Sequence, residues 1–116
     1  MANRKAAHAS QAGRAIEALA DPTRRAVFEK LRSGPSAVGR LSEGLHVTRP
    51  AVSQHLKVLE GAGLVRARRE GARRIYSVEV QGLVELRRYL DRFWGEALET
   101  FRSEAESPEP QGDGTP

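Results

Sequence analysis

Apolar residues recur at helical spacing along most of the chain, with one interruption where the period drops to two. Ala12, Ile16, Leu19 and Ala20 predict a first helix over about 12–20. Asp21-Pro22-Thr23 restarts the chain, with Asp21 as cap and Pro22 at the first helical position. The second helix should run to about Arg32, burying Ala26, Val27 and Leu31, and Gly34-Pro35 ends it. Ser36 is expected to cap a short third helix carrying Val38, Leu41 and Leu45, and Gly44 to Val47 form a tight connector. Thr48 caps a fourth helix, whose first turn tolerates Pro50 because the missing N–H has no intrahelical partner there. In it Val52, Leu56 and Leu59 repeat at i, i+4 and i+7, with Ala51 and Val58 on their flank. Gly61 and Gly63 supply the stop.

After Gly63 the pattern alternates. Residues 64–70 (Leu-Val-Arg-Ala-Arg-Arg-Glu) and 73–78 (Arg-Arg-Ile-Tyr-Ser-Val) read as two strands joined by a Gly71-Ala72 turn. Helical spacing then returns over 80–105. Leu83, Leu86, Leu90, Phe93 and Ala97 recur at steps of three, four, three and four, continued by Leu98 and Phe101 and widened by Val84 and Trp94. This near-heptad seam is broader and more aromatic than a domain of this size needs internally, so part of it is expected to pair with a two-fold mate. Ile16 and Leu19 of the first helix are expected to join that interface.

The polar side of the fourth helix carries the chemistry. Arg49, Ser53, Gln54 and Lys57 lie opposite the apolar stripe, with Glu60 the lone acid near the far end. A guanidinium, a hydroxyl, an amide and an ammonium are the groups that bond base edges and phosphates in a major groove. Two short helices, a tight turn and this polar-faced helix make a helix-turn-helix pattern, and the hairpin behind it reads as a wing. Arg68, Arg69, Arg73 and Arg74 flank the hairpin turn and suit phosphates or a minor groove. The expected fold is mainly α with a two-stranded β-wing, a winged helix-turn-helix that dimerises through its terminal helices. Thr48, Arg49, Pro50, Ser53, Gln54 and Lys57, with the four wing arginines, are the candidate DNA-binding residues.

Charge sharpens this picture. The net +4 conceals fifteen Lys/Arg against six acids in residues 1–78, near +9, and four against nine beyond them, near −5. A basic front and an acidic back suit a polyanion docking on one side. At 116 residues the chain reads as one domain over 11–106. A flexible arm (1–10) and a disordered acidic tail (107–116) are expected to flank it. No apolar run is long enough for a membrane span, and the N-terminus has no signal-peptide core. With no cysteine, disulfides and thiolate metal sites are excluded. His8, His46 and His55 have no ligand-like spacing, and His55 falls on the apolar side of its helix, where packing is the expected role. No nucleophile–base pair, glycine-rich phosphate loop or carboxylate cluster points to an enzyme, and no cofactor is expected.

The span from Ile16 to Glu106 resembles bacterial ArsR/SmtB-type winged-helix transcriptional repressors. The residues that carry the resemblance are Leu-Ala-Asp-Pro-Thr-Arg-Arg at 19–25, Arg-Pro-Ala-Val-Ser-Gln-His-Leu-Lys-Val-Leu at 49–59 and Ala-Gly-Leu-Val at 62–65, then Arg-Arg-Glu-Gly at 68–71 and Ile-Tyr-Ser-Val at 75–78. The resemblance implies a cytoplasmic homodimer on an imperfect palindrome near its own promoter, leaving the DNA when a signal arrives. Arg49, Ser53 and Gln54 would occupy base-reading positions, with two such helices in major grooves roughly 34–36 Å apart. Metal-sensing members often carry Cys-Val-Cys at the start of the third helix, where this chain has Ala37 and Gly39, with Ser42 where a third cysteine can occur. Others use Asp and His on the last helix, which here lacks histidine. The resemblance is therefore to the metal-free branch. Two alternatives stay open: a metal sensor with an atypical oxygen and nitrogen site, and a winged-helix protein-interaction module. The effector is unknown, and the aromatic residues Tyr89, Phe93 and Trp94 mark where one would be sought.

Overall fold

Helix α1 spans Gln11–Ala20 and helix α2 spans Pro22–Lys30, with Asp21 alone between them. The structure, a computed structural model, describes residues 11–106. The expected arm, with His8, and the expected tail lie outside the described residues. Asp21 Oδ1 accepts the N–H groups of Thr23 at 2.9 Å and Arg24 at 3.0 Å, satisfying two orphan donors of α2. Arg24 Nε and Arg25 Nη1 reach back to donate to the carbonyls of Ala18 and Leu19, each at 2.7 Å. The Leu-Ala-Asp-Pro-Thr-Arg-Arg stretch thus closes one helix and opens the next. It also commits two arginines of the basic front to the fold.

The inward side of α1 is its alanine side. Ala15 and Ala18 are buried, whereas Ile16 is 43% exposed and Leu19 only half-buried. Small side chains let α1 approach its neighbours closely, so the larger residues of the expected stripe sit at the edge. In α2, Val27 is buried and Ala26 half-buried. A 3-10 turn, Leu31–Ser33, follows with Leu31 buried, and ends at Gly34 with φ near 125°.

The next segment departs from expectation. Ser36 is not a helix cap: Ser36–Ala37 form strand β1, and helix α3, Val38–Ser42, begins after an Ala37 N-cap with no side-chain bond. Register explains this, because Ser36 pairs with Tyr76 and Ala37 with Ile75 of strand β3, Arg73–Val78. Strand β2, Val65–Glu70, pairs with the other edge of β3 from Val65↔Val78 to Glu70↔Arg73. The wing is therefore part of a three-stranded antiparallel sheet, ordered β1-β3-β2. The tie to β1 anchors the hairpin base beside α3.

Helix α4 spans Arg49–Gly61. Thr48 caps it, its Oγ1 accepting the Ala51 N–H at 3.2 Å. Gly61 remains inside the helix, and Gly63 ends it with φ near 78°. The Gly63 N–H donates to the Glu60 carbonyl and the Leu64 N–H to the Leu59 carbonyl, the paired bonds of a Schellman stop. Val52, Leu56 and Leu59 are fully buried with Val27, Leu41 and Leu64. At about 1.5–3 kcal/mol for each buried side chain of this size, they are the main anchor of α4.

Helix α5 spans Val80–Glu106. Leu83 and Leu86 pack in part against the core. The first compact unit closes at Leu86, and a second begins at Arg87, whose described part is the remaining helix. In that second unit Leu90, Phe93, Trp94, Leu98 and Phe101 are all exposed, from 45% to 69%.

The start of α5 meets the α4 stop at backbone distance. The Glu79 N–H donates to the Leu64 carbonyl at 2.9 Å, and a Cβ on Gly82 would lie 1.8 Å from the Gly63 carbonyl oxygen. Gly82→Ala must therefore push the helix off that turn, and should cost about 1–3 kcal/mol in urea melts. Gly95→Ala, which meets nothing within 4 Å, should stabilise by about 0.5–1 kcal/mol in the same assay. Equal melts for the two variants would contradict the close approach.

Asp21 makes stability pH-dependent. Its carboxyl is held below the ordinary aspartate value of 3.8, first by the Arg24 N–H, against some lost hydration, with the Thr23 N–H and the Arg24 charge adding. Because the native value is the depressed one, the contribution is present above pH 3.8 and lost as pH falls through the native value. Asp21→Asn, which still caps, should flatten this acid limb in chemical denaturation read against pH. An unchanged limb would mean that other carboxylates set it.

Candidate nucleic-acid interface

Burying Val52, Leu56 and Leu59 leaves the other side of α4 no choice of direction. Thr48, Arg49, Pro50, Gln54 and Lys57 are exposed, and Ser53 is half-buried. Arg49, Ser53 and Lys57 follow one another at four-residue steps, so they form one row along the helix. His55 is half-buried, in keeping with a packing role.

The N-terminal part of that row opens into a cleft of about 560 Å³ between α4 and the wing. Arg49 and Ser53 line it from α4, Arg73, Arg74 and Tyr76 from β3, and Gly39 and Arg40 from α3. The Arg49 guanidinium lies over Gly39, where a Cβ would come within 2.9 Å of Nη2. Any side chain larger than hydrogen at position 39 would re-aim Arg49. Tyr76 is 5% exposed, and its ring carries the Arg74 guanidinium 5.9 Å from its centroid. That stacking holds Arg74 at the cleft.

The four wing arginines are not equivalent. Cross-strand partners share a face of a hairpin. Arg69 pairs with Arg74 on the face that also carries Ala67 and Tyr76. Arg68, Glu70 and Arg73 fall on the opposite face with Ile75, since Glu70 pairs with Arg73 and Arg68 with Ile75. Glu70 bridges its two neighbours, at 3.2 Å from Arg68 and 3.8 Å from Arg73. Such exposed pairs hold weakly, about 0–1 kcal/mol, and the single carboxylate offsets one of the four charges. Arg69 and Arg74 have no ion pair among the described residues.

The structure thus gathers Arg49, Ser53, Arg73 and Arg74 around one cleft. Gln54 and Lys57 lie farther along the exposed row, and Arg68 is on the other side of the wing. Arg40 was not among the expected residues. It is one arginine in a five-residue helix, with no periodicity to mark it, and only the packing of α3 beside β3 brings it to the cleft. Among the described residues no three His, Cys, Asp or Glu side chains gather where they could hold a metal ion.

The residues expected at a dimer interface divide in two. Leu19, Leu83 and Leu86 pack in part on the core of the first unit. Ile16 and Ala97 are exposed, as are Leu90, Phe93, Trp94, Leu98 and Phe101. Of the aromatic residues considered for an effector, Tyr89 is half-buried and its two neighbours are exposed.

Known proteins share this arrangement. The family model described as "Bacterial regulatory protein, arsR family" matches residues 21–67, from the Asp21 cap to β2. The "HTH-type transcriptional regulator Rv2034" of Mycobacterium tuberculosis is 53% identical over 102 residues, covering 88% of this chain and 92% of that protein. The "HTH-type transcriptional repressor SmtB" of the same species is 45% identical over 65 residues, 56% of this chain and 48% of that protein. A solution structure of a homodimeric winged helix-turn-helix DNA-binding domain from Mycobacterium bovis, described as a possible ArsR-family transcriptional regulator, superposes with a TM-score of 0.64. It is 31% identical and covers 86% of this chain and 93% of that one. A capped helix with an outward polar row, an arginine-flanked wing and a match to a relative along nearly its full length lead to one conclusion: the chain belongs to the arsR family of bacterial regulatory proteins, DNA-binding winged helix-turn-helix regulators of transcription.

Proposed function

We propose that this protein is a homodimeric repressor that binds a palindromic operator, controls its own promoter in the cytoplasm and needs no metal to do so. The observation that carries the reading is the exposed row on α4, which opens into the same cleft as Arg74. Arg49, Ser53 and Gln54 read base edges in a major groove. Lys57 and the wing arginines hold phosphates, with Arg69 and Arg74 bearing more of that load than Arg68 and Arg73, whose charge Glu70 shares. Thr48 and Pro50 set the helix start at the groove.

The dimer is supported by the exposed stripe on α5. Leu90, Phe93, Trp94, Leu98 and Phe101 follow helical spacing on one side, and an apolar stripe of that size in water asks for a partner. The homodimeric Mycobacterium bovis domain favours a second copy. Metal independence rests on the chemistry of the chain. It has no cysteine, and at the family's second cysteine position Gly39 makes room for the Arg49 guanidinium.

Fluorescence anisotropy with a duplex from the protein's own upstream region, in chelator and near-physiological salt, tests the reading. Binding should be about a thousandfold tighter than to a scrambled duplex. Equal weak binding to both would favour an interaction module instead. Gln54→Ala should lose about 1–3 kcal/mol on the native duplex and nothing on the scrambled one. Arg74→Ala should weaken both alike and reduce the salt slope by about one. A Gln54→Ala protein that keeps full preference for the native duplex would remove Gln54 from the readers. In sedimentation equilibrium the wild type should run at twice 12.7 kDa. Phe93→Asp with Trp94→Asp should run at the monomer mass, and a dimer that survives both changes would place the interface elsewhere.

A further inference from the structure

The outer face of the wing forms a second cleft, of about 570 Å³, which shares Arg40, Glu43 and Arg73 with the first. Lys30, at the end of α2, Arg40 of α3, and Arg68 and Arg73 of the wing converge on it, against the carboxyl-bearing Glu43 and Glu70. Pro35, Leu41 and Ile75 supply apolar wall, and its size falls within the range of small-molecule sites. Four cations meet two carboxylates here. Lys30 Nζ donates to the Glu43 backbone carbonyl, and Arg68 and Arg73 share the one carboxylate of Glu70. Arg40 makes no side-chain hydrogen bond or ion pair among the described residues.

We propose that this cleft binds a small organic anion, an apolar body carrying one phosphate or carboxylate, and that binding there weakens the hold on DNA. An unpaired guanidinium with two more beside it presents forked donors that match such a head group. Pro35 and Ile75 give an apolar body something to lie on. A DNA backbone fits the cleft less well. Arg68, Arg73 and Ile75 occupy the wing face opposite to Tyr76 and Arg74, and the carboxylates of Glu43 and Glu70 repel a continuous run of phosphates while leaving room for one head group. The coupling to DNA rests on the function proposed above: Arg68 and Arg73, drawn to the bound anion, are withdrawn from the duplex.

Phenyl phosphate is the probe, followed by amide shifts of the ¹⁵N-labelled full chain without DNA. Saturable shifts centred on residues 33, 34, 36, 37, 40, 68, 70, 73 and 75 are expected. Lys30→Ala or Arg68→Ala should raise the midpoint about fivefold, the loss of roughly one charged contact, and Arg69→Ala should leave it unchanged. The spectra of the variants report their own folding. Non-saturating shifts, shifts centred on Arg49 and Ser53, or a midpoint indifferent to Lys30 and Arg68 would overturn the site. Anisotropy at matched ionic strength then reads the coupling. Phenyl phosphate should release the upstream duplex from the wild type at about fivefold lower concentration than from Lys30→Ala. Equal release from both would place the competition on the DNA face and overturn the regulatory role. Failure of the duplex to bind at all would count against the proposed function and leave the binding result standing.

Discussion

The burial of Val52, Leu56 and Leu59 is the constraint on which the rest of the molecule turns. Each points into the same cluster as Val27, Leu41 and Leu64, so α4 cannot rotate about its axis without lifting several large side chains into water. Truncating Leu56 or Leu59 to alanine would cost about 2–5 kcal/mol. That penalty aims Arg49, Gln54 and Lys57 outward, although among the described residues none of their side chains makes a hydrogen bond or ion pair that holds its direction. The core therefore does for the polar row what a second shell of hydrogen bonds does in an enzyme.

The two ends of α4 extend this control. Thr48 fixes where the helix starts, and the Schellman bonds at Gly63 fix where it stops. The stop then does more than end a helix. It delivers Leu64 and Val65 to the core and begins β2, and its Gly63 carbonyl is the surface on which Gly82 seats α5. One turn thus links the polar row, the wing and the long helix. A residue with a side chain at position 82 would disturb all three through one clash.

Charge is distributed with the same economy. Arg24 and Arg25 belong to the basic front by sequence, but each is tethered by one N–H to the last carbonyls of α1. Glu70 pairs with both Arg68 and Arg73 on one wing face, offsetting one of their two charges, and Tyr76 holds Arg74 on the other. A count of arginines overstates the charge free to meet a partner. What remains is sided, with Arg69 and Arg74 turned to the face shared with Tyr76.

The helix-turn-helix order, the wing and the long last helix were legible in the chain because each rests on local rules. Period, caps at Asp21 and Thr48, and the Gly71 turn depend on residues a few positions apart. The polar row on α4 was legible for the same reason, since one helical wheel places both its faces. Three features were not. Ser36 looked like a helix cap until Tyr76, forty residues on, took it as a strand partner. The alanine side of α1 was chosen over its larger neighbours by how closely α1 could approach other helices. Arg40 reached the cleft only through the packing of α3 beside β3. Local sequence settles which elements form and which way an amphipathic one faces. Pairing across the sheet, the depth of each approach and the company each arginine keeps are non-local, and only the tertiary structure decides them.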